Sequence, residues 1–179
     1  MLTISNVGSV GQAGSYYAAD NYYTEDQSRE YSAWDGEGAK ALGLEGKVGE
    51  LDFKEILSGR MDGQELGRAV GRDENGVVQR EHRPGYDVTL SAPKSVSILA
   101  EVGGLRDVRE AHEKAASSVL KYIESNLAGA RVTKDGVTAF EKTGNVVVAK
   151  FEHNTSRSLD PQTHTHMVFA NATKTQNGL

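Results

Sequence analysis

The chain contains no cysteine, which excludes a disulfide framework and any thiolate metal site and fits a cytoplasmic setting. Proline is scarce, 3 residues against 20 glycines, so its many turns rest on glycine. No long apolar run and no basic-plus-apolar leader is present, which argues against membrane insertion and export. A positive excess is missing too: the net charge is −5, an unfavourable value for a nucleic-acid binder. At 179 residues the chain is one domain, or a fragment of one, large enough to bury a core.

The charge is unevenly spread. Residues 1–75 carry 7 Lys and Arg against 14 Asp and Glu, whereas residues 76–179 carry 13 against 11. A phosphate-facing surface is therefore expected from the second part, where Arg80, Arg83, Lys94, Lys142, Lys150, Arg157 and Lys174 lie. Of these, Arg83, Lys94, Lys150 and Arg157 are the candidate DNA contacts.

Hydrophobic spacing predicts a short strand over 2–7, a helix opening at Ser15 after the glycine-rich turn, and loops over 24–84 with short helical pieces near Gly38–Leu42 and Asp52–Leu57. A strand is expected over 85–91, with Asp87, Thr89 and Ser91 on one face and Tyr86, Val88 and Leu90 on the other. Pro93 suits the first turn of a helix ending at Gly103. An amphipathic helix follows over 107–126, with Val108, Ala111, Ala115, Val119, Tyr122 and Ile123 as its apolar positions. Lys134-Asp135-Gly136-Val137 reads as a tight hairpin turn, followed by strands near Val146 and His164. The order implies an α+β fold: a central antiparallel β-sheet with helices packed on one face and polar strand residues lining a cleft.

Three of the 5 histidines fall within 14 residues, from His153 to His166. His164 and His166 are two apart in an apolar, β-branched run, so both leave one face of a strand. His153 ends the preceding apolar run and can close a three-nitrogen site from a neighbouring strand. Three imidazoles leave coordination positions open, the arrangement that presents a metal to a substrate. A lone histidine is usually an ordinary core or surface imidazole; a same-face pair with a third nearby is not. His82 and His112 lack such context, and His112 is expected to be solvated. Asp87 can orient a ligand histidine or take a proton; a solvent-facing strand aspartate is the alternative. Tyr16, Tyr17, Tyr22 and Tyr23 crowd into 8 residues. Such a cluster can dock a helix on the sheet, or supply a phenol that attacks phosphorus, given a nearby cation or base.

Four stretches carry a resemblance: Gly14-Ser15-Tyr16-Tyr17 with Tyr22-Tyr23; Gly38-Ala39-Lys40-Ala41-Leu42-Gly43-Leu44-Glu45-Gly46; Arg83 through Ser97; and His153 through Arg157 with Asp160-Pro161-Gln162-Thr163-His164-Thr165-His166. In this order they resemble the N-terminal relaxase domain of conjugative DNA-transfer proteins of the TraI/TrwC type, a branch of the HUH endonucleases with a palm-like sheet. The resemblance implies a strand transferase that cuts single-stranded DNA at an origin of transfer, beside a hairpin. A tyrosine keeps the 5′ end as a phosphotyrosyl ester, and the covalent complex passes through a secretion channel.

By motif, Tyr16 is the first nucleophile with Tyr17 beside it, and the pair Tyr22 and Tyr23 serves a second transfer. His153, His164 and His166 hold a divalent metal, and Asp87 orients a ligand histidine or takes the phenol proton. Imidazoles accept manganese, zinc, nickel, cobalt or copper; the resemblance adds magnesium. It also implies relaxosome and secretion-channel partners, and a bacterial cytoplasmic location with transfer alongside DNA.

The chain departs from the pattern in three places. The spacer between the tyrosine pairs is short. On an unbroken helix Tyr16 and Tyr23 share a face while Tyr22 lies about 120° round. Thr163 stands where leucine is expected. The sequence stops soon after the histidine strand, so residues 1–179 are expected to form a relaxase domain without its closing elements. Alternatives are a rolling-circle initiator, whose tyrosine follows its histidines, a non-catalytic origin-binding fragment, and an unrelated three-histidine metalloprotein.

Overall fold

The valine-rich run and the histidine run pair with each other inside one five-stranded sheet. The computed structural model describes residues 1–11, 13, 31–156 and 158–175. Its strands, in chain order, are β1 (Leu2–Asn6), β2 (Tyr31–Asp35), β3 (Arg60–Met61), β4 (Gln64–Glu65), β5 (Arg68–Arg72), β6 (Val78–Glu81), β7 (Gly85–Ser91), β8 (Gly129–Lys134), β9 (Val137–Lys142), β10 (Val148–Thr155) and β11 (Pro161–Ala170). The helices are α1 (Glu37–Ala41), α2 (Glu50–Leu57), α3 (Lys94–Ser97), which runs into a π-helical turn at Ile98–Val102, and α4 (Arg106–Asn126). Tyr16, Tyr17, Tyr22, Tyr23, Arg157 and the helix expected from Ser15 lie outside the described residues.

The sheet runs β1-β7-β11-β10-β2, antiparallel at every step. The remaining strands form three two-stranded ribbons, β3–β4, β5–β6 and β8–β9. The β8–β9 turn has Asp135 at φ 52° and Gly136 at φ 79°, the paired positive φ values that a tight hairpin of this hand requires.

Side chains alternate along β11, and each face meets different neighbours. On the back, Met167 and Phe169 pack with Val88, Val148 and the α4 residues Ala116 and Leu120. On the front, Val168 packs with Ala149 and Phe151, with Trp34 of β2 and with Phe53, Ile56 and Leu57 of α2. Burying a side chain of this size contributes about 1.5–3 kcal/mol. Gly38 donates its amide to the Val146 carbonyl at 3.0 Å. A Cβ there would come within 2.7 Å of that oxygen, so only glycine lets α1 seat at this point.

The α+β class and the central antiparallel sheet are as expected. The helical cover is fuller: α4 and the π turn take the back, while α1 and α2 pack beside β2 toward the front. Residues 24–84 hold more than loops, for β2 is an edge strand pairing with β10. Its short Tyr-Ser-Ala-Trp-Asp run has little pattern of its own, and its partner strand sets its conformation. On α4 the expected positions Val119 and Ile123 pack against the back-face core, where Ala116 and Leu120 are buried, whereas the expected Ala111, Ala115 and Tyr122 are exposed.

Candidate metal centre on the histidine strand

β10 and β11 place His153 directly opposite His164, with Phe151 opposite His166. Directly paired and i+2 residues share a face, so all three imidazoles gather on the front. Their ring centroids are 5.1 Å (His153–His164), 5.5 Å (His153–His166) and 5.3 Å (His164–His166) apart. Immediately beyond His153 the register shifts before Thr155 pairs with Pro161, an irregularity of the kind that re-aims side chains beside functional sites.

Hydrogen bonds fix which nitrogen each ring on β11 presents. His164 donates Nδ1–H to the Gln162 carbonyl at 2.9 Å, since a carbonyl only accepts. His166 donates Nδ1–H to Asp87 Oδ2 at 2.7 Å. In each ring Nε2 is then the nitrogen that carries the lone pair. His153 Nε2 is buried with no hydrogen-bond partner among the described residues. Burial, reinforced by His164 and His166 and opposed by Asp87, pushes the His153 imidazole down to about 4. It is therefore neutral, the form that binds a metal.

As placed, no three His, Asp or Glu side chains among the described residues form a group able to hold a metal ion. The donor type and spacing of the three imidazoles nevertheless suit one. Imidazole nitrogens at about 2.1 Å from one tetrahedral ion put ring centroids about 5 Å apart, the width of this triangle. Among the described residues His82 Nε2 and His153 Nε2 are buried without a partner; of these, His153 lies among other imidazoles.

Asp87 is buried, 6% exposed, as is His166 at 7%, so the solvent-facing alternative is excluded. Thr89, two residues along β7, donates its hydroxyl to Asp87 Oδ1 at 3.3 Å and lies 3.1 Å from His166 Nδ1. Sequence reasoning put Thr89 on the face of Asp87 but gave it no role.

The other expected residues are scattered. Lys94 is exposed, 3.5 Å from Asp160, just beyond the end of β7 where Ser91 pairs with His164. Arg83 is exposed and precedes the opposite end of β7. Lys150, expected as a DNA contact, is engaged within the fold. Its side chain is 14% exposed, bonded to Asp35 at 2.8 Å, and on the back face because it alternates with Phe151.

His112 is also corrected: it is half-buried, 3.0 Å from Thr165 Oγ1. Burial lowers its affinity for a proton. It belongs to a back-face network in which Thr163 donates to Glu101 at 2.9 Å, the Thr163 amide donates to Ser97 Oγ at 3.0 Å and Arg109 pairs with Glu101 at 2.9 Å.

Fold and site together define an α+β domain that gathers three imidazoles on one face of the middle strands of an antiparallel sheet. The TrwC relaxase family model matches residues 10–179. A multifunctional conjugation protein TraI of Escherichia coli is 46% identical over 176 residues, 97% of this chain and 10% of the relative. The structure of TrwC complexed with a 27-mer DNA comprising the recognition hairpin and the cleavage site superposes at TM-score 0.79 with 38% identity, over 100% of this chain and 58% of that one. A copper-bound relaxase TrwC in complex with oriT DNA superposes at 0.80 with 41% identity, over 100% and 60%. This chain belongs to the TrwC relaxase family. It spans a tenth of the curated relative and about three fifths of these solved relaxases.

Proposed function

We propose that residues 1–179 form the DNA-nicking relaxase domain of a conjugative transfer protein. Its substrate is single-stranded DNA at an origin of transfer, next to a hairpin. The observation that carries this reading is the three-imidazole triangle backed by the Asp87–His166 bond at 2.7 Å, in a chain of this family. Relaxosome and secretion-channel proteins are its partners, and it works in the bacterial cytoplasm before passing with the DNA. No helix among the described residues is long and apolar enough to cross a membrane.

Tyr16 supplies the nucleophile. Its Oη bonds to phosphorus as the bond from phosphorus to the 3′ oxygen breaks, leaving a 5′-phosphotyrosyl ester and, once that oxygen gains a proton, a free 3′ hydroxyl. The phenol gives up its own proton to solvent water in the same step, and with a reference pKa near 10 it needs a locally positive site to do so. Tyr17 flanks it, and the pair Tyr22 and Tyr23 serves the second transfer. Because one phosphodiester is exchanged for another, rejoining needs no nucleotide triphosphate.

His153, His164 and His166 hold the divalent ion through Nε2. When bound, that ion polarises the scissile phosphate and spreads its developing charge. Their nitrogens suit manganese, zinc, nickel, cobalt or copper, whereas magnesium prefers oxygen. Asp87 acts as the orienting group for His166: it is buried, with Oδ2 on His166 and Oδ1 on Thr89. Lys94 lies at the histidine end of the sheet and contacts the strand's phosphates. The exposed ribbons β5–β6 and β8–β9 have the two-stranded form that a major groove admits, which suits the hairpin.

The test is a denaturing gel of protein incubated with manganese and labelled single-stranded origin oligonucleotides. A band carrying both protein and DNA is expected, and it should vanish in Tyr16→Phe. Binding without any adduct would leave only a DNA-binding module.

A further inference from the structure

We infer that Thr89 is a positioning residue for the histidine centre: its hydroxyl locks the Asp87 carboxylate and thereby the His166 tautomer. The inference rests on the metal reading above. Asp87, Thr89 and His166 form a closed triangle on the front of the sheet, with separations of 2.7 Å, 3.1 Å and 3.3 Å. Thr89 pairs directly with His166 across β7 and β11, and Asp87 pairs with Val168. The carboxylate thus reaches back diagonally to the imidazole, a geometry that needs a fixed side-chain rotation.

The protons can be placed one by one. Asp87, as a carboxylate, only accepts. The shortest contact runs from His166 Nδ1–H to Oδ2, and the single Thr89 proton goes to Oδ1. The Thr89 oxygen then turns a lone pair toward Nδ1–H. A hydroxyl in this position favours the proton on Nδ1 and disfavours the tautomer with Nδ1 bare. It therefore keeps the metal-binding lone pair on Nε2 and the ring in a single orientation. Outer partners of ligand histidines act in this way and typically change metal affinity by about 10- to 100-fold.

Valine is nearly the same shape and favours a strand at least as well, so Thr89→Val removes the hydroxyl with little disturbance of the pleat. Thr89→Ser restores the hydroxyl without the methyl. Wild type, Thr89→Val, Thr89→Ser and His164→Ala are each titrated with cobalt(II), with the visible spectrum of the bound ion and the melting temperature of the metal-free protein recorded. Thr89→Val is expected to bind about tenfold more weakly with an altered spectrum, and Thr89→Ser to bind within about twofold of wild type. Wild-type affinity and spectrum in Thr89→Val would overturn the inference, as would equal weakening in Thr89→Ser. Absence of binding by wild type would sink the metal reading, and this inference with it. Binding by wild type that His164→Ala leaves unchanged would sink the ligand assignment separately.

Discussion

β11 has two faces built from alternate residues of one run, and they treat their polar groups differently. On the back, Thr163 and Thr165 are buried and hydrogen-bonded to Glu101 and His112. On the front, His164 and His166 use Nδ1 on Gln162 and Asp87, which leaves Nε2 with the lone pair, and His153 brings a buried nitrogen with no partner among the described residues. The back is a satisfied network that anchors the strand. The front gathers three imidazoles and a buried carboxylate on one face.

The largest effect that would sharpen this contrast is His164→Ala, for which metal affinity should fall by more than the roughly hundredfold ceiling of outer partners; calorimetric titration reads it. Asp87→Asn should cost about tenfold by the same titration, because the imidazole loses its charged acceptor but keeps its place. Thr165→Val on the back should cost about 1 kcal/mol of stability in chemical denaturation, with metal affinity within about twofold of wild type. A loss of affinity as large as that of Thr89→Val would erase the distinction between the faces.

Acid should act on the front as well. The folded chain holds His153 at about 4, below its ordinary 6.5, so as pH falls through this window the unfolded chain takes up the proton first. Stability of the metal-free protein should therefore decline from about pH 6.5 to 4 and level off below. Thermal melts follow this, and His153→Gln should flatten part of the slope. The smallest effect concerns the two lysines. Lys94→Ala should weaken binding of a single-stranded oligonucleotide a few-fold and reduce its salt dependence by about one charge. Lys150→Ala, on the back and paired with Asp35, should leave binding unchanged and lower the melting temperature.

The front face was legible because a strand has period two: spacing alone put His164 with His166 and Asp87 with Thr89. The same alternation sets Lys150 opposite in phase to Phe151 and His153, so its place on the back was readable and the charge count obscured it. What could not be read depended on tertiary partners. β2 is a strand because β10 pairs with it. His112 is half-buried because α4 brings its ring against Thr165 of β11. The bond from Asp87 to His166 crosses two strands 79 residues apart, and only sheet order decides such a pairing.

The central claim is that the front of β10 and β11 holds a metal through three imidazoles. X-ray absorption on the cobalt- or copper-loaded protein counts them directly. Three imidazole nitrogens at about 2.0–2.1 Å are expected, falling to two in His153→Ala. A bound ion with one imidazole or none, or a count unchanged by that substitution, would contradict the account.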